Sequence, residues 1–392
     1  MRILLVHNYY LQPGGEDTVF ESDASLLRAK GHDVFEYIEK NEDIATMSQG
    51  AVAVKTIWSQ ASYKKMKRTI AEFDPDIVQF YNTFPLISPS AYYACKSVNV
   101  PVIQYLFNPR LICPSAKLYR NQKLCVDCIG RIPAWPGIVH GCYHDSHLHT
   151  LIVSSMTAFH HMIKTWDKAV DVYLSATEFY RGLYIKGGLP PEKIIIKPNY
   201  ISDASGIPAQ VSKGEYALFV ARLDPEKGVK TMLNAWKSLS IPLKIRGNGQ
   251  LEQAMRDFVL LNNMSNIDFV DRLDTNQLAN LRKKARFLIW PSEGYYETFG
   301  LVAVECFAQG IPVIASNIGV LSEIVKDGKT GLLFNPGDSD ELVEKVKWLW
   351  THPEESKRMG QNARREYEEK YTAERNYQML MDIYQKVIDN KK

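Results

Sequence analysis

The chain has 392 residues, 45% hydrophobic and 23% charged, with 47 Lys and Arg against 44 Asp and Glu and a formal net charge of +3. Such a composition can bury a large apolar core and excludes disorder as the dominant state. The charge balance is too even to announce a nucleic-acid binder, and no run of about 18 apolar residues exists to form a spanning helix.

At roughly 100–200 residues per domain the length suggests two domains or three. The N-terminus, MRILLVHNYY, has too short an apolar run for a signal peptide. Arg2–Val6 reads instead as a buried first strand, so the chain is expected to be cytoplasmic. Its six cysteines are then expected to be thiols or metal ligands rather than disulfides. Gln12-Pro13-Gly14-Gly15-Glu16-Asp17 follows as a turn, then a helical stretch from Thr18 to Lys30. Asp33–Tyr37, Ile77–Phe80 and Val102–Tyr105 read as strands, and continuous apolar runs of this kind belong to sheets covered on both faces. Between them, Ala51–Val54 and Ile57 share an amphipathic stretch with Lys55, Trp58, Tyr63, Lys64, Lys65, Lys67 and Arg68. Basic and aromatic residues together suit an anionic membrane surface, and equally a solvated basic helix.

Cys113, Cys125, Cys128 and Cys142 form C-x11-C-x2-C-x13-C. One C-x-x-C with two outlying cysteines fits a tetrahedral structural zinc, and buried thiols account for the same pattern. The region about 107–150 is otherwise loop-like, with Pro114, Gly130, Pro133 and Pro136, and His140, His144, His147 and His149 are spare ligands there. Cys95 and Cys306 read as core thiols.

Lys197-Pro198-Asn199-Tyr200 and the polar stretch Ser202 to Gly214 mark a linker. The strand–helix rhythm then restarts. Ala217–Val220, Leu243–Ile245, Ile267–Val270, Phe287–Trp290, Val313–Ala315 and Leu332–Phe334 read as strands, with a helix over Val229–Leu239. Strand, helix, strand repeated this way predicts doubly wound α/β layers. The expected organisation is a Rossmann-like domain over 1–205, carrying the cysteine-containing insertion, a second over 206–372, and a C-terminal helix over 373–392. That charged, amphipathic last segment, from Glu354 on, either caps the second domain or crosses back to the first. Two such halves set a cleft between the carboxyl ends of two sheets, where ligands bind.

Three features of the second half converge. Arg222 and Lys227 flank the turn Ala221–Gly228 at the end of a strand and the start of a helix, an arrangement that attracts a diphosphate. A solvated turn with a Glu–Lys pair would look similar. Arg246-Gly247-Asn248-Gly249 follows the next strand, and its glycines allow close approach of a ligand or simply make a tight turn. In the stretch Pro291–Glu305, Glu297 and Glu305 stand eight apart, with Phe299-Gly300 where a turn becomes a helix. Glu305, among Val304, Cys306 and Phe307, is a carboxylate on an apolar face and demands a partner.

With Glu297-x7-Glu305, Phe299-Gly300, the Arg222/Lys227 pair and Ile311-Pro312-Val313-Ile314-Ala315, this half resembles the retaining glycosyltransferases of family four, polysaccharide-biosynthesis type, which share the GT-B fold. The resemblance extends to Gly14-Gly15 and to Asn108-Pro109-Arg110-Leu111-Ile112-Cys113-Pro114, with Phe107 where the family has histidine. It implies that Glu297 binds hydroxyls of a donor sugar, Glu305 binds ribose hydroxyls, and Arg222 and Lys227 hold the diphosphate. Glu297, Arg222 and Lys227 are then the catalytic set. Phe299, Gly300, Leu301, Gly247, Asp271, Arg272 and Gly15 join the donor site, and Asn108 and Arg110 are acceptor- or sugar-facing candidates.

Departure of a nucleoside diphosphate leaves negative charge that fixed cations and N–H dipoles can stabilise. No D-x-D pair stands in the stretches read as the donor site, so transfer is expected to be metal-independent with no catalytic cofactor. The two glutamates grip different parts of one ligand and are not a hydrolase pair. The reading is a retaining hexosyltransferase, with UDP-glucose as first donor and GDP-mannose second. Its acceptor would be a glycan or lipid-linked saccharide of surface or exopolysaccharide synthesis, reached by peripheral contact with the inner face of the plasma membrane. A nucleotide-sugar epimerase and a non-enzymatic nucleotide-binding scaffold are the rival readings.

Overall fold

The computed structural model describes residues 1–11, 14–202, 214–295 and 297–391. Gln12 and Pro13, Tyr296, and most of the expected linker with the boundary at 205/206 lie outside the described residues. By its contacts the chain divides into two units. The first comprises Met1–Leu118, Val126–Pro198 and Asn376–Lys392, and the second Tyr119–Cys125 and Asn199–Arg375.

The strands, in chain order, begin with β1 (Arg2–Tyr9), β2 (Asp33–Lys40), β3 (Ile77–Phe80) and β4 (Val102–Tyr105). A short antiparallel hairpin follows, β5 (Tyr119–Arg120) and β6 (Lys123–Leu124), then β7 (Val172–Ser175) and β8 (Ile194–Ile196). The second series is β9 (Tyr216–Val220), β10 (Leu243–Arg246), β11 (Ile267–Val270), β12 (Ala285–Trp290), β13 (Val313–Ser316) and β14 (Gly331–Phe334).

The first unit holds a six-stranded sheet in the order β2-β1-β3-β4-β7-β8, every pair parallel. Ile3, Leu4, Leu5 and Val6 are fully buried, because β1 is covered on both faces. β7 and β8, of four and three residues, complete the sheet beyond the strands read from the sequence. The first helix runs Gly15–Ala29 and so starts three residues before the expected Thr18. The backbone N–H of Gly14 donates to the Asp17 carboxylate at 2.8 Å, and Glu16 and Asp17 occupy the first turn, where the helix dipole favours negative charge.

The segment from Glu354 is helical as expected but breaks near Tyr371, giving Pro353–Lys370 and Ala373–Asp389. The second of these buries Leu380, Ile383, Tyr384 and Val387, a helical-period stripe, and from Asn376 on it belongs to the first unit. Two polar contacts pin it there. Tyr384 donates its hydroxyl to Gln79 of β3 at 2.7 Å, and the Asn376 amide donates to the carbonyl of Pro198 at 2.6 Å.

The second unit holds a six-stranded parallel sheet in the order β11-β10-β9-β12-β13-β14. Its first strand, β9, lies in the middle, so the chain order reverses between β9 and β12. In an open α/β sheet that reversal is where loops splay and ligands bind. The core beneath is formed by Phe219, Leu243, Ile245, Phe287 and Ile289 of the sheet with Trp236, Leu342, Val346 and Leu349 of the helices. The β5–β6 hairpin belongs to this unit, and Lys230 donates to the Gln122 side chain at 3.3 Å.

Tyr384→Phe removes the donor to Gln79 inside a fully buried layer. A loss of about 1–2 kcal/mol in unfolding free energy is expected by urea titration. An unchanged midpoint would show that this contact does not hold the last helix.

Candidate functional site

Three loops at the carboxyl ends of neighbouring strands build the site of the second unit. The loop after β9, Ala221–Gly228, leads into the helix Val229–Trp236. A side chain at Gly228, which has φ +68°, would place its Cβ 1.8 Å from the Pro291 carbonyl oxygen in the loop after β12. A Cβ at Gly247, after β10, would lie 1.8 Å from the carbonyl oxygen of Ala221. Backbone bonds complete the joint. Leu223 N–H donates to Asn248 O at 2.9 Å, and Glu293 N–H donates to Glu226 O at 2.9 Å. Gly300 precedes the helix Leu301–Ala308 with φ +90°, and a Cβ there would sit 2.1 Å from the Trp290 ring. These glycines are required by close approach, and their result is a rigid floor under the charged groups.

On that floor the Lys227 ammonium donates to the Glu297 carboxylate, both side chains being largely buried, and Trp290 Nε1 stands 3.5 Å from the same oxygen. Burial pushes the Glu297 carboxyl up, but Lys227, the two hydrogen bonds and the charge of Arg222 outweigh it and hold the group below its usual range. Arg222 is half exposed, with its guanidinium 2.9 Å from Asp224 and 3.6 Å from the buried Glu226. The expected pair of cations is therefore present on one turn, each already facing a carboxylate.

Glu305 lies in the second turn of its helix, as the spacing suggested. Its partner is Arg282, whose Nη1 donates at 2.8 Å from the end of the helix Thr275–Lys283. Burial raises the Glu305 carboxyl and Arg282 offsets only part of that. Arg282 was not a sequence candidate, since it sits in a polar helix with no motif around it. Phe299 is buried with its ring against Tyr371, Leu301 is half-buried, and Gly247 is in the knit floor. Asp271 and Arg272 are exposed beyond β11, which is two strands from β9.

In the first unit Gly15 opens the first helix and is exposed. The residue after it, which sequence reading passed over, is the chemically unusual one. Glu16 is buried, accepts from Asn108 Nδ2 at 3.1 Å through one oxygen, and has no hydrogen-bond partner for the other. Desolvation pushes its carboxyl up to about 7, against the lowering effects of the Asn108 bond and of Arg110. Next to it, Asp17 meets the buried His7 ring at 2.7 Å. Arg110 lies over the Phe84 ring at 4.0 Å, 5.2 Å from that of Tyr143, and donates to Pro114 O at 3.1 Å. A cavity lined by Asn82, Phe84, Phe107, Asn108 and Arg110 opens here. Phe107 stacks on Tyr105 at 4.0 Å, so the position where the family has an imidazole is part of an aromatic layer. The only sequence signal for Glu16 was an acidic pair directly after Gly-Gly.

The expected structural zinc on Cys113, Cys125, Cys128 and Cys142 is not supported. Among the described residues no three His, Cys, Asp or Glu side chains converge as a ligand set. The thiols go elsewhere: Cys113 Sγ lies 3.3 Å from the Ser115 hydroxyl, and Cys128 Sγ 4.0 Å from Ala134 O. Of the spare histidines, His147 meets the Ile138 carbonyl at 2.8 Å. Cys95 and Cys306 are buried, as expected of core thiols.

Residues 203–366 match the family of glycosyl transferases group 1. An uncharacterized glycosyltransferase of Methanocaldococcus jannaschii is 35% identical over 180 residues, 45% of this chain and 50% of that protein. The O-antigen chain mannosyltransferase C of Escherichia coli is 30% identical over 45% of this chain and 48% of its own. The chain thus spans about half the length of these curated relatives. Among solved structures, sucrose-phosphate synthase from Thermosynechococcus elongatus superposes with a TM-score of 0.71 at 16% identity, covering 99% of both chains. The Anabaena protein HepE in complex with UDP gives 0.69 at 15%, covering 98% of this chain and all of that one. The fold is therefore that of the GT-B glycosyltransferases, two Rossmann-like units of parallel sheet and flanking helices. The match to the glycosyl transferases group 1 family lies in the second unit, residues 203–366, and the solved structures extend the likeness of fold over the whole chain.

Gly300→Ala forces an unfavourable φ, costing about 1–2 kcal/mol, and drives a methyl into the Trp290 ring, costing about 1–3 kcal/mol more. Thermal denaturation should show a clear loss; a neutral result would mean that the turn relaxes freely. Burial holds the Glu16 carboxyl at about 7 in the folded state, above its ordinary 4.5, so the folded state binds the extra proton. Wild-type stability attributable to this group is present below the unfolded pKa and lost as pH rises through about 7. Glu16→Gln should therefore melt higher relative to wild type at about pH 8 than at about pH 5; a pH-independent difference would contradict the burial of an ionisable carboxyl.

Proposed function

We propose that the protein is a retaining, metal-independent glycosyltransferase that moves a hexose from a nucleoside diphosphate sugar to a glycan or lipid-linked saccharide of surface polysaccharide synthesis. The observation that carries this reading is the Lys227–Glu297 contact at the ends of β9 and β12, with Arg222 on the same turn. Two cations and a carboxylate on a rigid floor, beside a helix N-terminus, supply what transfer from a nucleotide sugar requires. The cations and the first N–H groups of the helix at Leu301 neutralise the diphosphate as the glycosyl bond breaks. Glu297, ionised at neutral pH, accepts hydrogen bonds from sugar hydroxyls.

Lys227 and Glu297 neutralise each other until a donor arrives. On this reading the diphosphate takes over the Lys227 contact, and Glu297 exchanges an ammonium for hydroxyl donors. Glu305 and Arg282 form a second pair, in which the carboxylate is available to the ribose. Uridine diphosphate glucose is the donor of choice, in keeping with the HepE complex with that sugar nucleotide. GDP-mannose is the second reading, favoured by the mannosyltransferase among the relatives. The first unit supplies the acceptor side, with Asn108, Arg110 and Glu16 as its polar groups.

Thermal-shift measurements with UDP, GDP and their sugars identify the donor. A specific shift with UDP or UDP-glucose is expected, weakened by roughly tenfold or more in affinity in Arg222→Ala and Lys227→Ala, each of which removes a charge-assisted contact. Glu297→Ala should retain nucleotide binding while transfer and slow donor hydrolysis fall by about a hundredfold or more. Equal loss of binding and transfer would refute this division of roles, and a nucleotide shift without any turnover would favour a scaffold.

A further inference from the structure

We infer that three helices of the first unit, Gln49–Ile57, Trp135–Val139 and His147–Met162, form a face that docks on an anionic lipid surface. The inference rests on the reading of the acceptor as a lipid-linked saccharide. Its starting point is the helix His147–Met162, which is apolar on both sides. Val153 and Met156 point inward, where they pack with Phe84, and Met156 lines the Arg110 cavity. Leu148, Leu151 and Met162, at helical spacing on the outer side, are 60%, 46% and 72% exposed. Large apolar side chains on the outer as well as the inner side of a helix ordinarily meet a partner or lipid.

Its neighbours extend the face. The His147 ring meets the Ile138 carbonyl at 2.8 Å and so holds the helix Trp135–Val139 at one end. At the other end His160 Nε2 meets the Ile57 carbonyl at 2.8 Å and holds the helix Gln49–Ile57. Trp135, Val139 and Val54 on these flanking helices are all more than half exposed. Six large exposed apolar side chains on three mutually packed helices exceed the scattered single residues of an ordinary surface.

Charge selects the occupant. None of the three helices contains Asp or Glu; Glu42, Asp43, Asp127 and Asp145 lie in the connections before them. The cations are Lys55, Lys164 at the end of the long helix, and Arg131, whose guanidinium lies 5.0 Å from the Trp135 ring. Apolar side chains bordered by Lys, Arg and an exposed Trp suit the boundary of an anionic bilayer. The basic stretch expected to do this, Lys55 to Arg68, is interrupted at Trp58–Ser59, and two of its charges are engaged, Lys65 with Glu39 at 2.7 Å and Arg68 with Glu72 at 3.9 Å. No helix among the described residues is long and apolar enough to cross a membrane, so the contact is one of lying on the surface. The helix that would touch lipid with its outer side lines the acceptor-side cavity with its inner side, which places that cavity beside the headgroups.

Flotation with vesicles tests this. The full chain should float with vesicles of equal parts phosphatidylcholine and phosphatidylglycerol, and much less with phosphatidylcholine alone. The variant Leu148→Gln, Leu151→Gln, Met162→Gln should bind at least about tenfold more weakly, with its circular dichroism and UDP thermal shift unchanged. Should the triple variant not fold, Trp135→Gln alone is expected to weaken flotation in the same direction. Absence of flotation by the wild type, or equal flotation by the variants, would overturn the docking face. So would a concentration-dependent dimer lost in the triple variant, which would assign the face to a second copy of the chain. Flotation without any response to a nucleotide would leave the face standing and sink the glycosyltransferase reading instead.

Discussion

The site of the second unit depends on one steric constraint: the backbone of the loop after β9 touches the backbone of the loop after β12. Gly228 and the Pro291 carbonyl leave no room for a side chain between them. The same holds where Gly247 meets Ala221 in the loop after β10. A cation on one loop and a carboxylate on another can pair reproducibly only if the loops themselves do not slide. The glycines give up side-chain packing at these points, and backbone hydrogen bonds such as Glu293 N–H to Glu226 O take over the task of fixing the register. Lys227 and Glu297 then meet because their backbones are already placed.

That pairing has an energetic meaning. Two largely buried ions facing each other are each desolvated, and removal of one partner typically costs about 3–5 kcal/mol because the other is left uncompensated. The pair is therefore a poor source of stability and a good way of storing two opposite charges side by side. A ligand that carries both an anion and hydroxyl donors can replace each half of the pair without leaving the other bare. The pair at Glu305 and Arg282 differs. Glu305 keeps a raised pKa because only one cation faces it and burial outweighs that cation, whereas Glu297 has Lys227, Trp290 and Arg222 around it.

Much of this was legible in the chain. The apolar runs at Ile3–Val6 and Phe287–Trp290 announced parallel strands because both of their faces are covered, and the Glu297–Glu305 spacing together with Phe299-Gly300 located the turn-to-helix transition of the site. What stayed hidden has physical reasons. Arg282 reaches Glu305 from a separate helix, a pairing set by tertiary packing that no local pattern encodes. The four cysteines have zinc-like spacing in sequence, yet their sulfurs do not converge in space, since spacing constrains neighbours along the chain and not the path of an irregular loop between them. The amphipathic basic stretch likewise showed its charges but not that Glu39 and Glu72 would answer two of them.

Glu16 shows how burial sets the chemical character of an ordinary side chain. Where the resemblance expects an imidazole, Phe107 stacks into the Tyr105 and Tyr81 layer. The imidazole that the unit does hold nearby, His7, is fully buried and committed to Asp17. The Glu16 carboxyl is buried, with Asn108 satisfying only one of its oxygens, and its titration moves toward neutrality. Near neutral pH, Glu16 therefore titrates where an exposed glutamate is fully ionised. Burial, helped by the neighbouring charge of Asp17, sets that behaviour against the opposing effects of the Asn108 bond and Arg110.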